Sequence, residues 1–385
     1  MIIAMCSGCT EKKDGIADYS RYFADGLRKT GCAVKIVPLD CYIGDKSYYG
    51  KAAAEANKAD ICHVQFNYVY FNGELPYKNR FLYFARYIRI PIVITMHEVR
   101  IGMQPLTSGF RSPASRAAYN ILLPFLDSWS AAFHKKMFRS AARIIVHTEE
   151  HLLAVRSLET QSDKAILIPH GIPEIKNDDK RIPATEAKKL LRLEGKTVLT
   201  IPGFINKRKG YETALGMLGG LPDDVILLIA GGMMTGNVIE KEYLRGLEEM
   251  IREKELMDRV RITGYLGEKE IPAVMAATDI CLAPYLSSAA SGSLSLCIGY
   301  NKPIIASDIP VHREINARVP CLELFKGGDP ADLLDKIKAI ISDTDRIARL
   351  SGYADSYGQQ YSYSKIAEAT AAIYKDAAGK DAEKK

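Results

Sequence analysis

The sequence predicts an α/β protein built from two doubly wound domains. Short runs rich in Val and Ile alternate with helix-like runs along the whole chain, and these short runs show no polar alternation. That pattern is typical of parallel strands covered by helices on both faces. The length of 385 residues allows two or three domains with ample core, and the rhythm of strands and helices restarts after a polar turn near residue 178.

The elements follow one another in a regular order on either side of that turn. In the first half, strands are predicted at 2–5, 33–38, 61–65, 91–96, 142–147 and 165–169, with an amphipathic helix at 18–28. The run Asn177-Asp178-Asp179-Lys180, followed by Pro183, is rich in turn-forming residues, so we place the linker there. In the second half, strands are predicted at 198–202, 225–230, 260–263, 280–283 and from 304, with helices at 211–218, 241–254, 271–277, from 294 and at 331–341.

Two domains follow from this order, at 1–178 and 179–360, with a closing helix and a charged tail at 361–385, of which residues 378–385 are expected to fray. In doubly wound domains, ligands bind at the carboxyl ends of the parallel strands. We therefore expect a ligand in the cleft between the domains.

The segment from Ser287 to Pro310 is the most informative stretch of the second half. Ser and Gly crowd its beginning, an apolar helical run starts at Leu294, and Pro303 begins a buried strand. A loop of small residues that opens onto a helix N-terminus can bind an anion, because unpaired backbone N–H groups and the positive helix end meet there. A flexible Ser/Gly connector is the alternative interpretation of the same residues.

The formal net charge of +6 belongs to the first half, because residues 1–178 hold 23 basic and 17 acidic residues. The excess is densest between Lys78 and Arg143, where eleven basic side chains are interleaved with aromatic ones. Such a stretch is typical of a surface that meets nucleic acid, an anionic membrane or an anionic substrate, or of a solvated helix face over a buried aromatic one. No nucleic-acid-binding motif accompanies it, so we expect no nucleic-acid partner.

Compartment and metal use are predicted from several negative features. The chain has no apolar run of membrane-spanning length and no secretion-signal pattern at its beginning, so we expect a cytoplasmic protein. Cys6 and Cys9 have redox or metal spacing, but no second pair completes a zinc site. His147 and His151 do not follow the order of a zinc-protease motif, so no metal site is expected.

The order of these pieces resembles the family-four retaining glycosyltransferases over nearly the whole chain. Each motif is short, and the resemblance lies in the order and spacing of the set. The motifs are Gly15-Ile-Ala-Asp-Tyr-Ser20, Asp60-Ile-Cys-His-Val-Gln65, Thr95-Met-His97-Glu98, Ile168-Pro-His170-Gly171, Gly203-Phe-Ile-Asn-Lys-Arg-Lys209-Gly210, Leu228-Ile-Ala-Gly231-Gly232, Arg261-Ile-Thr-Gly264-Tyr-Leu266, Ala276-Ala-Thr-Asp279-Ile280 and the Ser287–Pro310 segment.

The resemblance implies the GT-B fold, in which two Rossmann-like domains face each other across a cleft and the C-terminal helix packs back on the N-terminal domain. It implies a retaining, metal-independent enzyme of the hexosyltransferase type that needs no cofactor. Such an enzyme moves a sugar from a nucleotide-diphosphate sugar to a glycan, lipid-linked or small-molecule acceptor. Together with the basic stretch, it implies polysaccharide or glycolipid biosynthesis and peripheral attachment to the inner face of an anionic membrane.

Site residues carry over where this sequence matches the family's motifs. The resemblance gives catalytic roles to His97, which follows a predicted strand, and to Lys209, whose cation at a helix start favours a nearby anion. It gives contacts with the donor to Gly15, Arg208, Lys209, Gly232, Tyr265, Leu266, Ser288, Ser291, Gly292, Ser293, Leu294 and Glu314. It gives contacts with the acceptor to Asp18, Gln65, Glu98 and Arg100.

Three positions depart from the family's pattern. Phe204 stands where the family usually has an arginine, and Ser288 and Leu296 stand where two glutamates hold the donor sugar and the ribose. Serine can still hydrogen-bond a sugar hydroxyl, whereas leucine cannot bind a ribose hydroxyl. These departures keep two alternatives open, namely a non-catalytic, glycosyltransferase-like binding subunit and a sugar-nucleotide epimerase on the same fold.

Overall fold

The computed structural model describes residues 1–8, 14–73, 75–100, 113–158, 162–233, 238–288 and 290–382. They form two compact units, an N-terminal unit of Met1–Pro169 with Ile366–Lys385 and a C-terminal unit of His170–Lys365. The division therefore lies at 169/170 rather than at the expected 178/179. The expected linker residues Asn177–Lys180 form a short helix of the C-terminal unit.

A parallel sheet forms the centre of the N-terminal unit. Its strands are Ile2–Gly8 (β1), Ala33–Leu39 (β2), Ile61–Phe66 (β3), Ile92–Met96 (β4), Arg143–Val146 (β5) and Ala165–Leu167 (β6), in the spatial order β2-β1-β3-β4-β5-β6. The helices described in this unit are Gly15–Lys29 (α1), Lys46–Ala56 (α2), Phe81–Arg86 (α3), Pro113–Ser140 (α4) and Glu149–Leu158 (α5). Every residue of β3 and β4 is buried, as expected of central parallel strands with both faces covered.

A second parallel sheet forms the centre of the C-terminal unit. Its strands are Thr197–Pro202 (β7), Val225–Ala230 (β8), Val260–Ile262 (β9), Ile280–Ala283 (β10), Ile304–Ser307 (β11) and Leu322–Phe325 (β12), in the spatial order β12-β11-β10-β7-β8-β9. The helices described here are Asn177–Lys180 (α6), Ala184–Leu190 (α7), Tyr211–Leu218 (α8), Val238–Glu253 (α9), Ile271–Ala277 (α10), Gly292–Gly299 (α11), Pro310–Arg318 (α12), Pro330–Ile341 (α13) and Thr344–Gln360 (α14). Two doubly wound sheets confirm the predicted fold class.

The final helix, Tyr363–Ala382 (α15), starts in the C-terminal unit and belongs to the N-terminal unit from Ile366 onward. There its fully buried Tyr374 hydroxyl is hydrogen-bonded to His63 Nδ1 on β3, and Asp376 pairs with the buried Arg143 on β5. The prediction of a frayed tail from residue 378 is wrong for residues 378–382, which continue the helix. No helix among the described residues is both long and apolar enough to span a membrane.

We expect Tyr374→Phe to lower the free energy of unfolding by about 1–3 kcal/mol, because His63 Nδ1 would lose its partner in a fully buried site. Urea denaturation followed by circular dichroism measures this change. Tyr353→Phe is the matched control, since Tyr353 lies on α14 and is 42% exposed. The control should change the stability by less than about 0.5 kcal/mol. Equal effects of the two variants would contradict an anchoring role for Tyr374.

Candidate functional site

Glycines bring together the loops that follow β7, β8 and β9 in the C-terminal unit. A Cβ added at Gly231 would lie 2.0 Å from the backbone oxygen of Gly203, and one added at Gly232 would lie 2.6 Å from the backbone nitrogen of Tyr265. Gly203 itself has φ +104°, a conformation that favours glycine. Since parallel strands end at the same edge of a sheet, these contacts pack the three loops directly against one another.

A short helical turn at Lys207–Lys209 places Lys209 at this edge. The Asn206 side chain caps the turn by accepting a hydrogen bond from the backbone N–H of Arg208 at 3.1 Å. Gly210 ends it with φ +67°, where a Cβ would lie 2.0 Å from the Pro284 oxygen. The backbone N–H of Leu286 donates to the Arg208 oxygen at 2.8 Å. The turn is therefore fastened to the loop that follows β10.

Lys209 carries a buried amine in the middle of these loops. Its Nζ donates to the Pro202 oxygen at 3.2 Å and to the Tyr285 Oη at 2.8 Å, and it lies 4.3 Å from the centre of the Tyr285 ring. Only 9% of the residue is exposed. Burial lowers the pKa of Lys209 to about 7, an effect that Arg208 reinforces and the Cys297 sulfur opposes.

The N-terminus of α11 lies beside this amine. Ser291 caps the helix by accepting from the Leu294 N–H at 3.2 Å, and its hydroxyl also donates to Tyr285 Oη at 3.2 Å. A Cβ added at Gly203 would lie 2.0 Å from Ser293 Oγ and 3.2 Å from Lys209 Nζ, so both groups border the same point. Helix geometry leaves the N–H groups of Gly292 and Ser293 without acceptors inside α11. A cation and a helix N-terminus thus meet in one place, which suits an anion.

The donor contact predicted for Leu294 stays a prediction, although its groups have partners within the protein. The Leu294 side chain is buried in the core, and its backbone N–H is already hydrogen-bonded to the Ser291 hydroxyl. This N–H is therefore not available to a phosphate while the cap is formed. The contacts predicted for Ser291, Gly292 and Ser293 stay predictions, as does that for the half-buried Ser288.

Aromatic rings occupy the place where the family usually has an arginine. The Phe204 ring stacks on Tyr265 with a centroid distance of 6.0 Å and an angle of 27° between the planes. Tyr265 is 44% exposed and follows β9, next to the half-buried Leu266. Gly232 packs against the backbone of this loop, and the donor contact predicted for it stays a prediction.

Arg208 and Glu314 are the other donor contacts predicted in the C-terminal unit. Arg208 is exposed, and its charge acts on Lys209. Glu314 lies on α12, 3.8 Å from a guanidinium nitrogen of Arg318 one helical turn away. The predicted roles of both residues stay predictions.

Two histidines and a tyrosine near α11 were not assigned roles from the sequence. His170 Nδ1 lies 2.9 Å from the Ser295 hydroxyl on α11, and burial lowers its pKa to about 4. His312 is fully buried on α12 with its ring 5.5 Å from that of Tyr285, and burial lowers its pKa to about 4 as well. Tyr285 directly follows a strand end, as residues of binding sites in such sheets often do, and this position is the signal that could have identified it.

In the N-terminal unit, His97 belongs to a buried chain of hydrogen bonds. Its Nε2 lies 2.8 Å from Gln65 Oε1, the Gln65 amide nitrogen lies 3.4 Å from His63 Nε2, and that nitrogen lies 2.8 Å from Thr95 Oγ1. The Tyr19 ring packs edge-on against the His97 ring at 4.7 Å. Gln65 is fully buried and its amide is hydrogen-bonded on both sides, which suits orientation of the His97 ring. The acceptor contact predicted for Gln65 stays a prediction.

The other predicted residues of the N-terminal unit are accessible. Gly15 is the first residue of α1, and a Cβ there would meet no atom of the described residues within 4 Å. Asp18 is exposed on the same helix and lies 3.7 Å from Arg21. Glu98 and Arg100 pair with each other at 2.6 Å on the loop after β4.

Acidic, histidine and cysteine side chains are the candidates for metal ligands. Among the described residues, no group of three or more His, Cys, Asp or Glu side chains is placed to hold a metal ion. Asp343 and Asp345 have the Asp-x-Asp spacing of some metal sites, but Asp343 caps α14 by accepting from the Arg346 N–H at 2.8 Å. Cys9, half of the Cys-x-x-Cys pair, lies outside the described residues.

Known proteins resemble this chain in sequence and in fold. A family model described as "Glycosyl transferases group 1" matches residues 184–357. Phosphatidyl-myo-inositol mannosyltransferase of Mycobacterium leprae is 26% identical over 294 residues, which cover 74% of this chain and 71% of that protein. The 2-deoxystreptamine glucosyltransferase of Streptomyces kanamyceticus is 25% identical over 264 residues, which cover 67% and 63%.

Among solved structures, Anabaena HepE in complex with UDP-glucose superposes with a TM-score of 0.72 and 16% identity, covering 98% of this chain and all of that one. This likeness concerns the fold, which is the GT-B fold of two parallel sheets flanked by helices.

Proposed function

We propose that the chain, whose residues 184–357 match the model of the group 1 glycosyl transferases, is a retaining, metal-independent glycosyltransferase that uses a nucleotide-diphosphate sugar. The observation that supports the donor class is the pairing of the Lys209 amine with the N-terminus of α11. Two relatives are named as sugar transferases, and HepE was crystallised with UDP-glucose. A UDP-sugar is therefore the first donor to test.

In this proposal the diphosphate binds at the point bordered by Lys209 Nζ and Ser293 Oγ. As the bond between the sugar C1 and the phosphate oxygen breaks, negative charge grows on the leaving diphosphate. The Lys209 ammonium and the N–H groups of Gly292 and Ser293 would stabilise that charge, which is how preorganised donors accelerate group transfer. The acceptor oxygen forms the new bond to C1, and its proton passes to the departing phosphate.

His97 is the residue of the N-terminal unit that we propose takes part in transfer. Its hydrogen bond to Gln65 holds Nε2, and the ring is fixed further by Tyr19. The donor contact proposed in this unit is Gly15, the first residue of α1. The acceptor contacts proposed in this unit are Asp18, Glu98 and Arg100, which are accessible.

We expect Lys209→Met to weaken UDP binding by roughly 1.5–3 kcal/mol, about tenfold to a hundredfold in Kd, because a charge-assisted hydrogen bond is lost. Isothermal titration calorimetry measures the change. Lys207→Met is the control, because Lys207 lies in the same turn and is exposed. The melting temperature without ligand should not fall, since a buried amine is replaced by an apolar chain of similar length. Unchanged affinity in Lys209→Met would remove Lys209 from the donor site.

We expect sugar transfer to continue in EDTA, because Lys209 and the N-terminus of α11 supply the positive charge that a divalent ion would otherwise supply. Turnover of UDP-glucose and other nucleotide sugars, assayed before and after chelation, measures this. Loss of turnover in EDTA with recovery in Mn²⁺ or Mg²⁺ would contradict metal independence. Asp343→Asn, at the N-cap of α14, would then show whether the Asp-x-Asp spacing contributes.

We further propose that the N-terminal unit attaches to an anionic membrane surface through an aromatic patch of Tyr77, Leu122, Phe125 and Trp129. The last three lie on one face of α4 and are 53%, 73% and 49% exposed, and the Tyr77 ring stacks on Trp129 at 5.6 Å. Lys78 lies over the Tyr77 ring, and Lys135 and Lys136 are exposed further along α4. Aromatic rings beside basic side chains suit the interface of an anionic bilayer. Residues 101–112 of the basic stretch lie outside the described residues.

We expect Phe125→Ser combined with Trp129→Ser to abolish binding to phosphatidylcholine vesicles that contain phosphatidylglycerol, because the exposed apolar area is removed. Charge reversal of Lys135, Lys136 and Arg139 should weaken binding and its dependence on salt. Vesicle sedimentation measures both. Affinity for UDP should stay unchanged in every variant. If the wild-type protein does not bind anionic vesicles at low salt, the membrane proposal is contradicted. The basic side chains would then only solvate α4 above the buried Phe133 and Phe138.

A further inference from the structure

We propose that Tyr285 is the positioning residue of Lys209, and that its hydroxyl lets the amine gain a proton when a nucleoside diphosphate binds. The inference rests on the donor site proposed above and concerns how that site changes its charge. Its basis is the place of one phenol oxygen, which contacts both the lysine amine and the residue that caps α11.

The Tyr285 side chain joins the two halves of the anion site. Its Oη lies 2.8 Å from Lys209 Nζ and 3.2 Å from Ser291 Oγ, while its ring lies beside Nζ and packs against His312. The backbone of Tyr285 is held as well, because the Ser307 hydroxyl donates to its carbonyl oxygen at 2.6 Å. Only 2% of Tyr285 is exposed. The phenol oxygen is therefore fixed, and it sets the position of the amine relative to α11.

A phenol serves both charge states of the amine, whereas a carboxylate would hold it charged. When Nζ is neutral, the Tyr285 hydroxyl can donate to it and accept from Ser291. When Nζ is protonated, it donates to Tyr285, whose own hydrogen turns to Ser291 Oγ. Among the described residues, none of the ion pairs found involves Lys209, whose hydrogen bonds go to Pro202 and Tyr285. The amine can thus change its charge without losing its place.

The change in charge of the Lys209 amine depends on the ligand, because the groups around the amine do not fix its charge. Arg208 on its own turn opposes the positive charge, and the Cys297 sulfur on α11 favours it. His312 on α12 has a pKa lowered to about 4 by burial, so it is neutral near pH 7. Burial raises the pKa of Tyr285 well above its usual range, so the phenol keeps its proton. The diphosphate brings the negative charge that favours the ammonium.

The pH dependence has a definite sign. In the empty site the pKa of Lys209 lies at about 7, and a bound diphosphate raises it. Affinity is therefore full below pH 7 and falls as the pH rises above 7, by up to about tenfold per pH unit. Binding takes up about half a proton at pH 7 and nearly one at pH 8. The terminal phosphate has a pKa near 6, so it is already ionised in this range.

The experiment is calorimetric titration of the full chain with UDP at several pH values, in buffers of different ionisation enthalpy, which gives the number of protons taken up. Lys209→Met should abolish the uptake. Tyr285→Phe keeps the ring and removes the oxygen, which costs the ammonium more than the neutral amine. It should weaken binding at pH 7 by about tenfold, move the fall in affinity to lower pH and bring the uptake at pH 7 close to one.

Tyr211→Phe is the matched control, because Tyr211 is buried two residues from Lys209 and its hydroxyl has no hydrogen-bond partner among the described residues. It should leave both affinity and proton uptake as in the wild type. If Tyr285→Phe does not fold, Ser291→Ala tests the same link from its other end. That variant should also raise the uptake at pH 7.

Four outcomes are informative in different ways. UDP binding by the wild type without proton uptake between pH 7 and 8 would overturn the inference while leaving the donor site in place. So would a Tyr285→Phe variant with wild-type affinity and uptake. Unchanged UDP binding by Lys209→Met would contradict the donor site itself. Failure of the wild type to bind UDP, GDP, ADP or dTDP would contradict the proposed function, and this inference with it.

Discussion

Burial of one amine beside a helix N-terminus is the constraint on which the edge of the C-terminal sheet depends. Lys209 Nζ needs acceptors because it is shielded from water, and it obtains them from Pro202 at the end of β7 and Tyr285 after β10. Glycines at 203, 210 and 231 let the surrounding backbone approach closely enough to make that arrangement. The same packing places the first turn of α11 beside the amine. The packing of these loops therefore also determines where the positive charge of the site lies.

The C-terminal sheet was largely predictable because its signals are local. The apolar runs at 225–230 and 280–283 became β8 and β10 with the predicted bounds, since buried parallel strands read as continuous Val, Ile and Leu. The edge strand β12, Leu322–Phe325, and the polar helix α14 were not predicted, because neither has a continuous apolar signal. The helical turn at Asn177–Lys180 uses residues that sequence rules assign to a linker.

The candidate site was only partly predictable, because its contacts join residues far apart in the chain. Lys209 and the Ser291–Ser293 region could be identified from a cation and small residues at helix starts. The link between Lys209 and Tyr285 spans 76 positions, and no local pattern encodes it. Gln65 shows the opposite difficulty, since its polar side chain near the end of β3 resembles a ligand contact but is buried against His97 and His63. Polar residues at strand ends can therefore serve in two ways. Some contact the ligand, and others orient the side chains that do so.

A crystal structure of the full chain with UDP tests the central claim most directly. The account predicts a β-phosphate oxygen within about 3 Å of Lys209 Nζ, with a second oxygen at the same distance from the N–H of Gly292 or Ser293. Tyr285 Oη should remain in contact with Nζ. A diphosphate bound away from α11, with Lys209 still hydrogen-bonded only to Pro202 and Tyr285, would contradict the account.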